Sequence, residues 1–284
     1  MYEEFYSLRD LPFRLTPDVG YFFDSRVHSA ALSYLLYGLE KAEGFVVVTG
    51  EVGAGKTILV DHLLSQLDPA AYVAAKISTT HLQPEDLLRV IAAAFGLVTE
   101  NADKAHLLSR LTSVWIEAQR TGRQPLVLVD EVQNLPFASL EELRMLSNLT
   151  DGGRSLLQTV LIGQPQFRQT LASPDCEQLV QRVVAACHLK PMDPGETRNY
   201  VMHRLENAGW FGDPAIDDDV FGIVFRATGG TPRRINLVFD RLLVLGFLEE
   251  RHEIGRLQAE QVVREMMDEG LVSRLHPVAR ESHT

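Results

Sequence analysis

The chain has 284 residues, of which 45% are hydrophobic and 23% are charged, and its formal net charge is −11. This composition excludes a disordered chain, a collagen-like repeat and a disulfide scaffold, and it argues against a protein whose whole surface binds nucleic acid, since such domains carry a basic excess. At roughly 150 residues per domain, the length predicts two domains, each with a core of its own.

The sequence also carries signals about location and metal binding. No segment reaches the ~18 continuous apolar residues that a membrane span requires, and the N-terminal Met1-Tyr-Glu-Glu is acidic where a secretory signal is basic. We therefore expect a cytoplasmic chain that reaches the inner membrane, if it does so, through a partner. Cys176 and Cys187 lack the spacing of metal ligands and are interpreted as buried thiols, so no structural metal is expected.

Short apolar runs of strand length alternate with helical stretches through the first two thirds of the chain. Strands are predicted at Phe45–Thr49, Ala71–Ile77, Pro125–Val129, Gln158–Ile162 and Ala186–Lys190. Helices are predicted at Leu32–Leu39, Thr57–Leu67, Pro84–Phe95, Lys104–Arg120 and Leu140–Leu149. This alternation is typical of parallel βαβ units, and it predicts an α/β fold with a five-stranded parallel sheet flanked by helices.

After Lys190 the pattern becomes entirely helical. The helices predicted there are Asp193–Ala208, Asp217–Ala227, Pro232–Phe247 and Gln258–Glu269. We therefore place an α/β domain at residues 1–190, a small helical lid domain at 191–270 and a flexible tail at 271–284. The net charge divides into −6 for residues 1–190 and −5 for the remainder, so neither part is basic.

A glycine-rich segment follows the first predicted strand. Residues 50–57 read Gly-Glu-Val-Gly-Ala-Gly-Lys-Thr and fit the P-loop pattern G-x-x-x-x-G-K-[ST], with a strand before and a helix after. Successive backbone N–H groups can approach a phosphate only where side chains are small, and the helix N-terminus adds positive potential. The sequence therefore predicts a nucleotide phosphate site, formed by Gly50, Glu51, Val52, Gly53, Ala54, Gly55, Lys56, Thr57 and Ile58. Lys56 would contact the β- and γ-phosphates, and Thr57 would bind Mg²⁺.

Two consecutive acids end the third predicted strand. Asp130 and Glu131 follow the apolar run Leu-Val-Leu-Val, and carboxylates at the end of a buried strand are costly unless they meet a cation or move a proton. We expect Asp130 to hold the Mg²⁺ shell and Glu131 to orient and deprotonate an attacking water. Solvated acids at a strand end are the alternative. The adjacent glutamate favours hydrolysis over transfer to another acceptor.

Three polar residues further along are candidates for contact with the γ-phosphate. Gln164 lies just beyond the fourth predicted strand, where it would contact the γ-phosphate or bind the attacking water. Arg182 precedes the last strand, and Arg233 stands near the start of a lid helix. A surface ion pair is the alternative for each arginine.

The order and spacing of these motifs resemble the AAA+ ATPases, and the chain is similar to the ExeA-type secretion ATPases (general secretion pathway protein A). The segments that carry the likeness to the ExeA type are Phe5–Leu8, Leu11–Asp18, Tyr21–Ser25, His28, Glu43–Phe45, Thr49–Glu51, Leu140–Asn148 and Gly163–Pro165. Within that group the chain resembles the branch associated with the exosortase/PEP-CTERM system and exopolysaccharide loci. The resemblance implies an AAA+ P-loop fold with a helical lid.

The resemblance also implies roles for particular residues. Gln164 matches the sensor-1 position, Arg233 the lid arginine called sensor 2, and Arg182 the candidate finger that contacts the nucleotide of a neighbouring subunit. The N-terminal segment 1–27, with Pro12 and Phe13, is similar to the segment that folds over adenine. Val180 stands where the family usually has a further arginine, which leaves Arg182 as the finger candidate of that stretch.

The implied function is an Mg²⁺-dependent ATPase that binds ATP and ADP, assembles into a homo-oligomer on ATP binding, and drives assembly or export at an envelope or exopolysaccharide machine. The alternative is a DNA-associated AAA+ regulator of the transposition-helper or origin-binding kind. The acidic lid and the lack of an appended helix-turn-helix weigh against that alternative, so nucleic acid is not the expected partner. A third hypothesis is a nucleotide-dependent scaffold protein with slow turnover. The sequence names neither the partner nor the oligomer number.

Overall fold

The computed structural model of the chain describes residues 1–78 and 81–272. Its helices are α1 Tyr2–Phe5, α2 Arg26–Glu40, α3 Lys56–Gln66, α4 Pro84–Ala94, α5 Lys104–Arg120, α6 Phe137–Leu146, α7 Gln166–Leu171, α8 Glu177–Val180, α9 Pro194–Asn207, α10 Asp218–Thr228, α11 Pro232–Leu248 and α12 Arg256–Asp268. Its strands are β1 Phe45–Gly50, β2 Tyr72–Ser78, β3 Gln124–Asp130, β4 Thr150–Asp151, β5 Arg154–Ser155, β6 Gln158–Gly163, β7 Val183–Leu189, β8 Ala215–Ile216 and β9 Glu253–Ile254.

These elements divide between two compact units. The α/β unit comprises Ser29–Val52 and Leu59–Leu189, and the lid unit comprises Met1–His28, Gly53–Ile58 and the described residues from Lys190 onward. No helix in the described part of the chain is both long and apolar enough to cross a membrane.

The α/β unit is built on one parallel sheet with the strand order β2-β3-β6-β1-β7. Every residue of β1 and β6 is buried, as is all of β3 beyond its first residue. Full burial is expected for the inner strands of a parallel sheet covered by helices on both faces. Trp115 of α5 and Phe167 of α7 lie fully buried in the core of this unit. The predicted fold class is confirmed.

Two features of the sheet unit differ from the sequence prediction. The edge strand β7 begins at Val183, in register with Phe45, three residues before the predicted start at Ala186. Its residues are mostly half buried or exposed, so they lack the continuous apolar run by which the inner strands are recognised. The hairpin β4–β5 was not predicted, although its two-residue turn is Gly152-Gly153 with both φ angles positive, the conformation that favours glycine in tight hairpins.

Helices α9 to α12 of the lid unit enclose a second hydrophobic core. A capping box starts α9, since the Asp193 carboxylate accepts from the Glu196 N–H at 2.8 Å and the Glu196 carboxylate accepts from the Asp193 N–H at 3.2 Å. Gly229 ends α10 in the left-handed region with φ +60°. The short strands β8 and β9 pair in parallel and join two loops of this unit.

The N-terminal segment belongs to the lid unit, although the sequence placed it in a domain of residues 1–190. Tyr2, Tyr6 and Phe13 are buried in the lid core, and the Tyr2 hydroxyl donates to the Asp240 carboxylate of α11 at 2.8 Å. These side chains are widely spaced along an irregular segment, so no local periodicity shows which core they enter. The lid unit resumes at Lys190, where the sequence placed the boundary. Of the tail predicted at 271–284, residues 273–284 lie outside the described residues.

Candidate functional site

The glycine-rich segment connects β1 to α3, the strand–loop–helix order that the sequence predicted. Gly53 and Gly55 have φ angles of +80° and +93°, which L side chains rarely adopt. Space is equally restrictive, because a Cβ at Gly53 would lie 2.5 Å from the Cβ of Arg233, and a Cβ at Gly55 would lie 2.7 Å from Nε2 of His28. Both glycines are therefore required by conformation and by close approach. Lys56 begins α3 and is 6% exposed.

His28 is buried and supports the loop through a hydrogen bond to its backbone. Its Nε2 lies 3.2 Å from the Ala54 carbonyl oxygen, and its Nδ1 lies 2.8 Å from Oγ of Ser25. Since a carbonyl only accepts, Nε2 carries the proton, and Nδ1 accepts from the Ser25 hydroxyl. Burial lowers the pKa of His28 from its ordinary value, which keeps the ring neutral. The sequence pattern assigned no role to this residue, because Ala54 is 26 positions away.

Arg233 reaches the same loop from the lid helix α11. Its backbone N–H donates to the Gly53 carbonyl oxygen at 3.2 Å, and its side chain is exposed. Pro232 precedes it at the first helical position, where a missing N–H costs no hydrogen bond. The structure thus brings Arg233 against the loop, the neighbourhood in which the resemblance placed it.

A small aromatic pocket lies beside the loop within the lid unit. Its cavity is about 30 Å³, and its lining includes Tyr21, Phe22, His28, Gly55, Ile58 and Arg204. The Arg204 guanidinium lies 4.8 Å from the ring centroid of Tyr21. The cavity is too small for a purine ring as it stands, so a base could enter only if these aromatic side chains moved.

Pro12 and Phe13, which the resemblance assigned to adenine, are placed differently. Phe13 is 1% exposed, and its ring stacks on Phe239 with centroids 5.2 Å apart in the lid core. The Pro12 carbonyl accepts from Nε of Arg204, which links it to the pocket lining through that arginine. The Phe13 side chain packs against other core residues and does not line the pocket described.

The acidic pair lies at the carboxyl edge of the sheet. Asp130 ends β3 and is 5% exposed, and its carboxylate accepts from the Glu131 N–H at 2.9 Å. Glu131 has a φ of +55°, in the left-handed region that non-glycine residues rarely occupy. Gly50 ends β1 and Gln164 follows β6 at this same edge, because parallel strands share their carboxyl ends.

A glutamine that the sequence did not single out joins these residues. Gln133 follows Glu131 in a short 3₁₀ turn. Its Oε1 accepts from the Gln164 N–H at 2.9 Å, and its Nε2 donates to Oε2 of Glu131. Nε2 of Gln164 donates to that same carboxylate oxygen at 3.1 Å. The structure therefore brings Glu131 and Gln164 together and adds Gln133.

Arg182 lies next to the amino end of β7, whereas Glu131 and Gln164 follow the carboxyl ends of their strands. It immediately precedes β7, and its carbonyl accepts from the Phe45 N–H at 2.9 Å at the start of β1. The seven residues of β7 span roughly 20 Å at ~3.3 Å per residue. Arg182 is exposed and lines a groove of about 840 Å³ at this amino edge. Within the α/β unit of one chain, its backbone is remote from Glu131.

The donors present suit Mg²⁺. Mg²⁺ keeps several waters and takes one or two protein oxygens beside those of a phosphate, and a carboxylate such as that of Asp130 is a donor of that kind. Among residues 1–78 and 81–272, no three histidine, cysteine or acidic side chains cluster as a metal site. Burial raises the pKa of the Cys187 thiol to about 11, which keeps it protonated at neutral pH.

Comparison with known sequences gives a family match and a similar protein. Residues 39–171 match the family model described as AAA domain. Over 255 residues the chain is 40% identical to General secretion pathway protein A of Aeromonas hydrophila. That match covers 89% of this chain and 46% of the relative, so the chain spans about half the length of that protein.

Solved structures are similar in fold at low sequence identity. CDC6P from Pyrobaculum aerophilum has a TM-score of 0.69 at 14% identity, covering 93% of this chain and 70% of that one. Aeropyrum pernix ORC2, in its ADPNP–ADP complexes, has a TM-score of 0.66 at 15% identity, covering 90% and 72%. At these identities the likeness concerns the fold alone. The loop, the strand order and these comparisons together show that the chain has the P-loop AAA fold, a five-stranded parallel sheet flanked by helices.

Proposed function

We propose that the chain binds ATP with Mg²⁺ and hydrolyses it to ADP and phosphate. The observation that carries this proposal is the loop between β1 and α3, whose glycines are held in left-handed conformations immediately before Lys56. Such a loop presents successive N–H groups and a helix N-terminus to an anion. The acids at the end of β3 supply the remaining chemistry.

Each residue has a separate task in this proposal. The N–H groups of residues 50–58 and the Lys56 ammonium bind the phosphates, and Arg233 adds a positive charge from the lid helix. Asp130 and Thr57 hold Mg²⁺, which supplies charge neutralisation at the phosphate oxygens when it is bound. Glu131 orients a water and accepts its proton as the oxygen attacks the γ-phosphorus and the bond to the β-phosphate oxygen breaks. Gln164 binds the γ-phosphate or that water.

Substitution Glu131→Gln tests the hydrolytic step. The amide keeps the shape of the side chain but accepts no proton, so turnover should fall by about 10²–10⁴-fold. ATP affinity should stay within about threefold, because the carboxylate acts after binding. Glu117→Gln, on the exposed face of α5, is the matched control. Turnover in Glu131→Gln equal to that of the control would remove the assignment.

We further propose that Arg182 acts on the nucleotide of a second copy of this chain. Its place at the amino edge of the sheet, with its backbone remote from Glu131 of the same chain, supports action in trans. A guanidinium supplied in this way is worth ~10³–10⁵ in rate. This role is tested by measuring the molecular mass of the wild-type protein and of Arg182→Ala in solution, with and without ATP. A monomer that hydrolyses ATP at the wild-type rate would exclude it.

The partner proposed for this ATPase is a bacterial envelope or exopolysaccharide machine of the exosortase-associated kind, at which turnover drives assembly or export. The support is the 40% identity to General secretion pathway protein A over 89% of the chain. Recovery of envelope components with the Glu131→Gln variant, held in its ATP-bound form, tests the proposal. Recovery that is equal with ATP and with ADP would contradict coupling to turnover.

A nucleic-acid function is the second candidate, and one surface favours it. Two adjoining grooves at the amino edge of the sheet are lined by four basic residues, Lys41, Arg123, Arg154 and Arg182. None of these four side chains forms an ion pair with a described residue. Phosphate contacts would make DNA-stimulated turnover fall steeply with salt. Turnover that DNA leaves unchanged at low salt would exclude this candidate.

A further inference from the structure

We propose that Gln133 is a positioning residue for hydrolysis, which fixes the Glu131 carboxylate and couples it to Gln164. This inference rests on the proposed ATPase function and deepens it. Neither the P-loop pattern nor the acidic pair points to residue 133, and its role follows from the contacts at the carboxyl edge of the sheet.

The Gln133 amide uses both of its ends. Oε1 accepts from the Gln164 N–H at 2.9 Å, and Nε2 donates to Oε2 of Glu131. These contacts fix the orientation of the amide, because a backbone N–H only donates and an ionised carboxylate only accepts. A single side chain thus connects the turn after β3 to the chain that leaves β6.

The surroundings of Gln133 restrict its position. A Cβ on Gly163 would lie 3.1 Å from Oε1 of Gln133 and 2.8 Å from Cγ1 of Val132, so the end of β6 approaches this turn closely. Glu131 itself has a φ of +55°. A non-glycine residue stays in that conformation only where surrounding contacts determine it, and the bridge from Gln133 is one such contact.

The two glutamines differ in what they can do once nucleotide is bound. Both Gln133 and Gln164 donate to Oε2 of Glu131. In the proposed cycle Gln164 turns its amide to the γ-phosphate or the water, and its contact with Glu131 is then lost. Gln133 contacts no proposed substrate atom, so its donor remains and keeps the carboxylate in place while the water reacts.

This role predicts a specific kinetic change. Without the Gln133 donor, the Glu131 carboxylate loses the amide contact that stays in place when Gln164 turns away. Misplacement of a catalytic group by about 1 Å costs on the order of 10²-fold in rate, so kcat should fall to that extent. KM for ATP should change by less than about threefold, since Gln133 lies outside the phosphate loop.

The experiment uses the full chain with Gln133→Leu, Gln133→Glu and the exposed control Gln169→Leu on α7. Leucine removes both hydrogen bonds, whereas glutamate keeps the length, cannot donate when ionised and repels Glu131. We expect both variants to lose kcat with KM retained, and the control to match wild type.

The outcomes separate this inference from the proposed function. If Gln133→Leu keeps kcat within twofold of wild type while Glu131→Gln is inactive, the positioning role is overturned and the ATPase stands. A fall in kcat with a matching rise in KM and a lower thermal midpoint shows a structural defect, and it also overturns the role. If wild type and Glu131→Gln hydrolyse ATP equally, the assignment of Glu131 fails and this inference fails with it, whereas a wild-type chain that does not hydrolyse ATP overturns the proposed function.

Discussion

Replacing Phe13 with alanine tests whether the N-terminal segment is part of the lid core. Phe13 is 1% exposed and stacks on Phe239 with ring centroids 5.2 Å apart. Phe→Ala substitutions in well-packed cores cost about 3–5 kcal/mol, from lost transfer free energy and the cavity left behind. We therefore expect the free energy of unfolding of the lid unit to fall by that amount.

Urea unfolding measures this change. With a slope m of about 2 kcal/mol/M, the expected loss lowers the midpoint by roughly 1.5–2.5 M. Because the chain has two compact units, lid unfolding should be followed by a local probe such as Trp210 fluorescence, compared in a Trp115→Phe background. Phe211→Ala is the control in the same unit, since that side chain is 86% exposed and should contribute less than about 1 kcal/mol.

Two results would contradict the argument. A Phe13→Ala loss below about 1 kcal/mol would show that the residue is not part of a packed core. Loss of ATP affinity under conditions where the lid unit stays folded would instead favour the adenine contact that the family resemblance implies. Measuring both quantities on one variant distinguishes a core residue from a ligand residue.

Three further predictions concern the lid unit and the loop. Burial lowers the pKa of His28 from 6.5, so the unfolded chain binds the proton more tightly than the folded chain does. The free energy of unfolding should therefore fall as the pH drops below about 6.5. His28→Gln should weaken this pH dependence, measured by urea unfolding at several pH values. Asp193→Ala removes the cap that accepts from the Glu196 N–H and should cost about 1 kcal/mol, measured by the same method. Arg233→Ala keeps the N–H bonded to Gly53 and removes only the guanidinium, so nucleotide affinity should fall by about 10–100-fold in fluorescent-nucleotide titrations with stability unchanged.

The parts of the site that depend on short spacing could be predicted from the sequence. Lys56 follows Gly50 by six positions, and Asp130 and Glu131 are adjacent, so the loop and the acids could be recognised from local pattern together with the flanking strands. The inner strands were recognised for a similar reason, because burial on both faces gives a continuous apolar run.

Long-range contacts could not be predicted in that way. Gln133 contacts Gln164 across 31 positions, and His28 contacts Ala54 across 26. Nothing in the residues near either side chain names its partner, since each contact depends on which chain segments the fold brings together. The placement of Phe13 had the same difficulty: an aromatic residue in an irregular segment fits a core and a ligand pocket equally well.

The grouping of residues 53–58 with the lid unit has a thermodynamic consequence. A ligand that binds only the folded state stabilises it by RT ln(1 + [L]/Kd), about 2.7 kcal/mol at a hundredfold excess over Kd. The loop packs against His28 and Arg233 of the same unit, so a nucleotide held by that loop adds its binding free energy to the fold of the lid helices and of the N-terminal segment. Cellular ATP concentration would then set how often this unit opens, and the same helices would resist proteolysis more when nucleotide is abundant.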